Sequence, residues 1–431
     1  MSFEFLLCLV TLLGLAAMGA PIAYAILIAS LAYLAAAGQS IGVSGKILMD
    51  GLYQSFILLA VPLFIVAANI MNAGTVSDRL LQFCIALVGR FRGGLGHVNV
   101  MASLVFSGMS GSAVADAAGI GKLIIEMMVK SGHYTRGYAA AITAASATIG
   151  PIIPPSIPMV LYALVSNTSI GFLFLAGIVP GLFMGAVLMA MNAWISHARG
   201  FAKDEPVPLR DLPRLTLNAG PALLMPAILL YGIYGGVTTP TEAAAVAAFY
   251  ALILAAVFYR SLTLASFYEI MVNSARSSAA VGLVIGGALI LNYVVASENI
   301  PDVVAKSLVG LDVHPLVFLL GVNLLLLLLG CFLDASTIIL VIIPLFIPTC
   351  RELGIDLVHF GVVAIINCMI GLITPPYGIL LFVINAVTRI PLAEIIREIW
   401  LFLGVLVAAL LILILFPDVT LMLPRAFGYA G

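Results

Sequence analysis

GPIIPPS at residues 150–156 and GLITPPYG at 371–378 each interrupt a long apolar run. Proline removes a backbone donor and its ring clashes with the preceding turn, so paired prolines break a helix. Both runs, about 138–165 and 360–388, are therefore predicted to be discontinuous spans. Each is preceded by a second apolar run whose middle is small or polar: SGMSGSAVAD (107–116) within 97–131, and GCFLDAST (330–337) within 316–350. Irregular backbone at membrane depth is tolerated only where protein or a water-filled cavity covers it, which predicts two re-entrant hairpins.

Composition supports a membrane setting for these breaks. Of 431 residues, 63% are hydrophobic and only 9% charged, against about 25% charged in soluble domains. Segments such as VFLLGVNLLLLLLG (317–330) show no alternation of polarity, which favours helices over barrel strands. The chain is predicted to be an all-α polytopic membrane protein. A net charge of −1 leaves no basic excess for nucleic acid. Cys8, Cys84, Cys331, Cys350 and Cys368 are scattered without a CxxC pair, so neither a disulfide framework nor a zinc site is indicated. The N-terminus lacks a basic n-region and is read as a retained first span.

Sliding the chain by 221 residues lays Gly150, Pro154 and Pro155 on Gly371, Pro375 and Pro376, and Ala113 and Asp116 on Asp334 and Thr337. The unit is duplicated. A first repeat (1–196) and a second (218–416) flank a polar cytoplasmic linker (197–217), and a tail follows (417–431). Each repeat is expected to cross five times, one crossing being a broken helix, and to carry one hairpin. An odd number inverts the second copy, the architecture of secondary transporters. With both termini periplasmic, 14 of the 18 Lys and Arg fall inside, as the positive-inside rule requires. The segments 79–93 and 298–311 are amphipathic and are expected to lie along opposite membrane faces.

Hard oxygen ligands around a broken helix suit a sodium ion. Ser110, Ser112, Gly150 and Pro151 are candidates for one sodium site. Asp334, Thr337, Gly371 and Thr374 are candidates for a symmetry-related second. Ser112, Asp116 and Ser156 are candidates for contact with a carboxylate substrate. Asp334 is equally readable as an N-cap of the helical ASTIILVII, and Asp116 has a possible partner in Lys122. Lys122, Glu126 and Lys130 are spaced as an ion-pair ladder. Thr239, Pro240 and Glu242 form a capping box, which makes Glu242 structural. Asn292, Asn323, Asn367 and Asn385 read as interhelical glue. Trp194 and Trp400 read as interface anchors. No histidine lies near a hairpin centre, which argues against an intramembrane hydrolase; the chain is not expected to be an enzyme.

Together these stretches, with VPLFIVAANIM (61–71), GGVTTPTEAAAVAA (235–248) and FLDASTIILVIIP (332–344), resemble the large membrane subunit of tripartite ATP-independent periplasmic (TRAP) transporters, DctM type. The resemblance covers essentially the whole chain. It implies a multi-pass permease of the bacterial inner membrane, driven by a sodium gradient and working as an elevator. It also implies two partners, a periplasmic substrate-binding protein (DctP type) and a small four-helix membrane subunit (DctQ type), here expected as a separate chain. Implied substrates are small organic acids such as C4-dicarboxylates or sialic acid. The alternative within transport is a related dicarboxylate or citrate symporter that needs no binding protein. Two sodium ions per monoanion would move one net charge, worth about 2.3 kcal/mol per 100 mV.

Overall fold

The computed structural model describes residues 2–72, 75–203, 207–310 and 313–431. Among the described residues it is all-helical, apart from a single bridge between Arg92 and Lys203. Among the described residues five single helices are long and apolar enough to cross a bilayer: Ile170–Ala198, Leu212–Tyr234, Pro240–Phe258, Leu264–Ser297 and Leu392–Leu415. Between them lie the interrupted elements. The first hairpin enters along Gly94–Ser110 and returns through Ala113–Ser131; the second enters along Pro315–Gly330 and returns from Ala335 to Glu352. The first interrupted span joins Arg136–Ala147 to Ile157–Ser166, and the second joins Leu357–Gly371 to Ile379–Thr388.

Each returning arm contains a π-helical turn, at Ala117–Gly121 and at Ile338–Ile342. The two lie 221 residues apart, the offset that superposes the motifs, although no glycine or proline pattern marks them both. Both diproline bonds, Pro154–Pro155 and Pro375–Pro376, are cis.

Helix association inside a membrane depends on close approach, because lipid tails are as apolar as leucine. The first half of the first interrupted span, RGYAAAITAASA, meets that need, since every residue from Gly137 to Ala147 is buried. Its Gly137 lies against the Glu394 carbonyl oxygen of Leu392–Leu415, which a Cβ would approach to 2.6 Å. Polar residues pin this helix to the first hairpin's entering arm. Asn99 of the first hairpin donates to Thr143 at 2.5 Å, and the Ser146 hydroxyl donates to Asn99 at 3.0 Å. Buried polar groups persist where they are bonded in this way.

The hairpins and interrupted spans interlock across the halves. Ile157–Ser166 packs on the second hairpin's returning arm, and Ile379–Thr388 packs on the first's. Ile170–Ala198 and Leu392–Leu415 join this body. A frame stands beside it, made by Phe3–Ala17, Ile22–Ala36, Ala60–Asn72, Leu212–Tyr234, Pro240–Ile253 and Leu264–Ser297.

Several expectations change. Phe3–Ala17 and Ile22–Ala36 have only 15 residues each, about 22 Å at 1.5 Å per residue, short of a full hydrocarbon crossing of about 30 Å. Their parity is unaffected, because the pair returns to the side it came from. Gly42–Tyr53 and Phe56–Asn72 meet at 72°, where the corresponding Leu264–Ser297 is one continuous helix. Within the tail, Pro417–Ala426 is helical and packs on Ile170–Ala198, with Tyr429 against Phe172 and Phe427 against Tyr234. Lys122, Glu126 and Lys130 are exposed and form no ion pair within 4.0 Å among the described residues, so the expected ladder is absent. Exposed side chains gain too little from pairing to be held together.

The capping box and most of the amide assignments hold. The capping box at Thr239 and Glu242 is formed, with Thr239 N–H donating to the carboxylate at 2.7 Å. Helices Thr75–Val88 and Ile300–Gly310 occupy the amphipathic connectors. Asn292 donates to the Leu340 carbonyl and Asn367 to Asn323, both between helices, whereas Asn385 caps its own helix end at Ile390. Trp194 and Trp400 are both exposed.

Candidate functional site

The first hairpin turns at Gly111, whose φ of 59° is left-handed. A Cβ there would lie 2.4 Å from the Pro155 carbonyl oxygen, so glycine lets the tip seat on the break. Ser112 starts the returning arm as its N-cap, accepting from Ala115 N–H at 3.4 Å. This places Asp116 one turn in, fully buried, with the Ser110 hydroxyl donating to its Oδ1. Its expected partner was Lys122; instead Lys122 points to the exposed surface five residues past the π turn's start.

Asp116 Oδ2 faces Gly150, where an added Cβ would lie only 2.4 Å away. Among the described residues no donor reaches Oδ2. An unsatisfied buried carboxylate oxygen costs free energy, and more so than a neutral group. Such an oxygen beside a hydroxyl and an opened helix end has the chemistry of a hard cation ligand. Ser110, Asp116 and Gly150 thus meet at one point. Pro151 and Ser156, by contrast, satisfy each other: the Ser156 hydroxyl donates to the Pro151 carbonyl and accepts from Met159 N–H at 3.2 Å. Ser156 is completely buried.

The second hairpin also closes onto its break. Gly330 and Gly371 meet backbone to backbone; a Cβ on Gly371 would lie 2.7 Å from the Gly330 Cα. Gly378 N–H donates to the Cys331 carbonyl at 3.2 Å. Asp334 is the N-cap read from the sequence, its Oδ2 accepting from Thr337 N–H at 3.2 Å and its Oδ1 from the Thr337 hydroxyl at 2.5 Å. Thr374 turns its hydroxyl to the Ile370 carbonyl at 2.8 Å, within its own helix end. Among the described residues no three His, Cys, Asp or Glu side chains cluster as a transition-metal site would require.

The two tips differ in access. Asp116 is sealed, but Asp334 lines a cleft of about 750 Å³ together with Phe332, Tyr377, Phe382 and the Gly19–Ala20 turn of the frame. Ser112, Asp116 and Ser156, the residues expected at the substrate, are not in its wall. The turn between Phe3–Ala17 and Ile22–Ala36 carries no polar motif, and only packing shows that it walls this cleft.

Comparison with known proteins bears on what such a site serves. The family model of the tripartite ATP-independent periplasmic transporter DctM component matches residues 9–419. The sialic acid TRAP transporter large permease protein SiaM of Vibrio cholerae is 42% identical over 97% of this chain and 98% of its own. The C4-dicarboxylate TRAP transporter large permease protein DctM of Pseudomonas aeruginosa is 40% identical over 87% of this chain and 88% of its own. In fold, the chain is similar to the YdaH transporter of Alcanivorax borkumensis, with a TM-score of 0.61 over 86% of this chain and 87% of that one, at 16% identity. A chain matched by this family model over residues 9–419, and 42% and 40% identical to two such permeases over most of its length, belongs to the DctM family of TRAP transporter large permeases.

Proposed function

We propose that this permease takes up a small organic acid across the bacterial inner membrane, driven by sodium. The observation that carries the reading is the buried, unpartnered Oδ2 of Asp116 against Gly150. A carboxylate in that position attracts a cation, and the opened helix end beside it offers further oxygen ligands. Ser110, Asp116 and Gly150 hold one sodium ion, with Ser112 at its rim. Asp334, Thr337, Gly371 and Thr374 surround a second. Pro151 and Ser156 brace the break and do not bind directly. The substrate enters the cleft that Asp334 and Tyr377 line, where a sodium ion on Asp334 offsets its charge and attracts a carboxylate.

The two relatives named above carry sialic acid and C4-dicarboxylates in their names, which supports a carboxylate substrate here. A tripartite system implies a periplasmic binding protein that delivers the acid and a small membrane subunit that packs on the frame. The coinciding π turns, hairpins and diproline breaks at one offset support two repeats, and an odd number of crossings inverts them. In this reading the interlocked body moves as an elevator against the frame, and both chain termini are periplasmic. The test is uptake into proteoliposomes holding the permease and its small subunit, with binding protein outside. Uptake should require an inward sodium gradient; uptake that persists without sodium would overturn the coupling. Uptake that persists without the binding protein would favour a self-sufficient symporter.

A further inference from the structure

Where the helix Thr75–Val88 ends, the chain turns through Arg90, Phe91 and Arg92 beneath the end of Ile170–Ala198. A cleft of about 460 Å³ opens there, separate from both hairpin tips. Its wall is mainly apolar, formed by Val88, Phe91, Met189 and Ala193 with the buried His97 ring beside Phe91, and its rim carries Arg92 and His197. The Arg92 guanidinium lies 3.4 Å from His197 Nδ1. Arginine only donates, so Nδ1 accepts and the ring proton is left on Nε2, a second donor at the rim. Among the described residues no carboxylate pairs with Arg92 or His197, and none lines the cleft. Backbone pairing of Arg92 with Lys203 brings a further cation to the same edge. Trp194, 61% exposed, stands one turn up the same helix, as amphipathic rings do at a membrane interface.

An apolar slot under a cationic rim beside an interfacial tryptophan fits one occupant: an acyl chain with an anionic headgroup. A free phosphate would satisfy the rim and leave the apolar wall empty. We propose that this cleft holds one anionic phospholipid of the cytoplasmic leaflet, its phosphate on Arg92 and His197 and an acyl chain along Val88, Met189 and Ala193. The leaflet rests on the orientation proposed above; the binding itself does not.

The experiment is native mass spectrometry of the detergent-purified full chain, titrated with phosphatidylglycerol, phosphatidylethanolamine or inorganic phosphate. One phosphatidylglycerol should be retained with about tenfold preference over phosphatidylethanolamine, and Arg92→Ala with His197→Ala should abolish that preference. Ala193→Trp, which fills the slot and keeps both cations, should also lose the lipid, whereas Arg276→Ala, elsewhere on the chain, should not. Equal retention of the two lipids, retention by the double variant, or equal protection by inorganic phosphate would overturn the proposal. So would displacement of the lipid by the small membrane subunit. No arm depends on sodium-driven uptake, so failure here and failure of the transport reading are separable.

Discussion

Asp116 and Gly150 show how one missing methyl group leaves room at the proposed ion site. Gly150→Ala would drive a Cβ to 2.4 Å from Oδ2 and force the carboxylate aside. It is expected to weaken the sodium dependence of uptake by about 10–100-fold without loss of folded protein, as misplacing a metal ligand does. Asp116→Asn keeps the shape and removes the charge, and should do the same. Uptake kinetics at varied sodium check both; unchanged half-saturation in either would remove Asp116 from the site. Glu298 belongs to this scale too. The Ser2 hydroxyl, 2.5 Å away, together with Tyr33 holds its carboxyl below the usual range. A depressed carboxylate stabilises the fold above its unfolded pKa and loses that contribution as pH falls through the folded one. Glu298→Gln should therefore lower thermal stability at pH 7, and the difference from wild type should vanish at acidic pH below the ordinary glutamate range, measured by melting in detergent.

Between elements, close approach replaces the hydrophobic effect. Gly330 and Gly371 hold the second hairpin to its break, and Gly371→Ala meets backbone, not a movable side chain. It should cost about 1–3 kcal/mol of stability in a denaturation series, as overpacking does. Gly119→Ala, with open space around it, should be neutral and serves as the control. A different bond joins Ile170–Ala198 to Leu392–Leu415: Arg199 to Glu398 at 2.7 Å, both partly exposed. A double-mutant cycle there should return about 0.2–1 kcal/mol and shrink with added salt. Stability of the body thus rests mainly on small residues at contact.

At the scale of the molecule, the Gly19–Ala20 turn of the frame faces the body of hairpins and interrupted spans across the cleft that Asp334 lines. If that body moves, a flexible bifunctional cross-link between cysteines placed at Ala20 and Phe332, in a chain freed of its five native cysteines, should stop uptake. Cleaving the linker should restore it. Full cross-linking with undiminished uptake would refute the elevator.

Local chemistry made much of this readable from the chain alone. Paired prolines cannot continue a helix wherever they fall, Asp334 beside AST is a cap by its own side chain, and Thr239 with Glu242 closes a box over four residues. Periodicity and apolar length likewise marked the hairpins and the helices beside them. What the chain could not disclose depends on residues distant in sequence. Asp116 found Ser110 and Gly150 instead of Lys122, because a turn at Gly111 and a seat on Pro155 decide where the carboxylate lands. Asp334 and not Ser156 faces open space, because a featureless turn from the frame happens to wall that cleft. Breaks, caps and spans follow from bonds within a few residues; which oxygen is left without a partner follows from how separate helices meet.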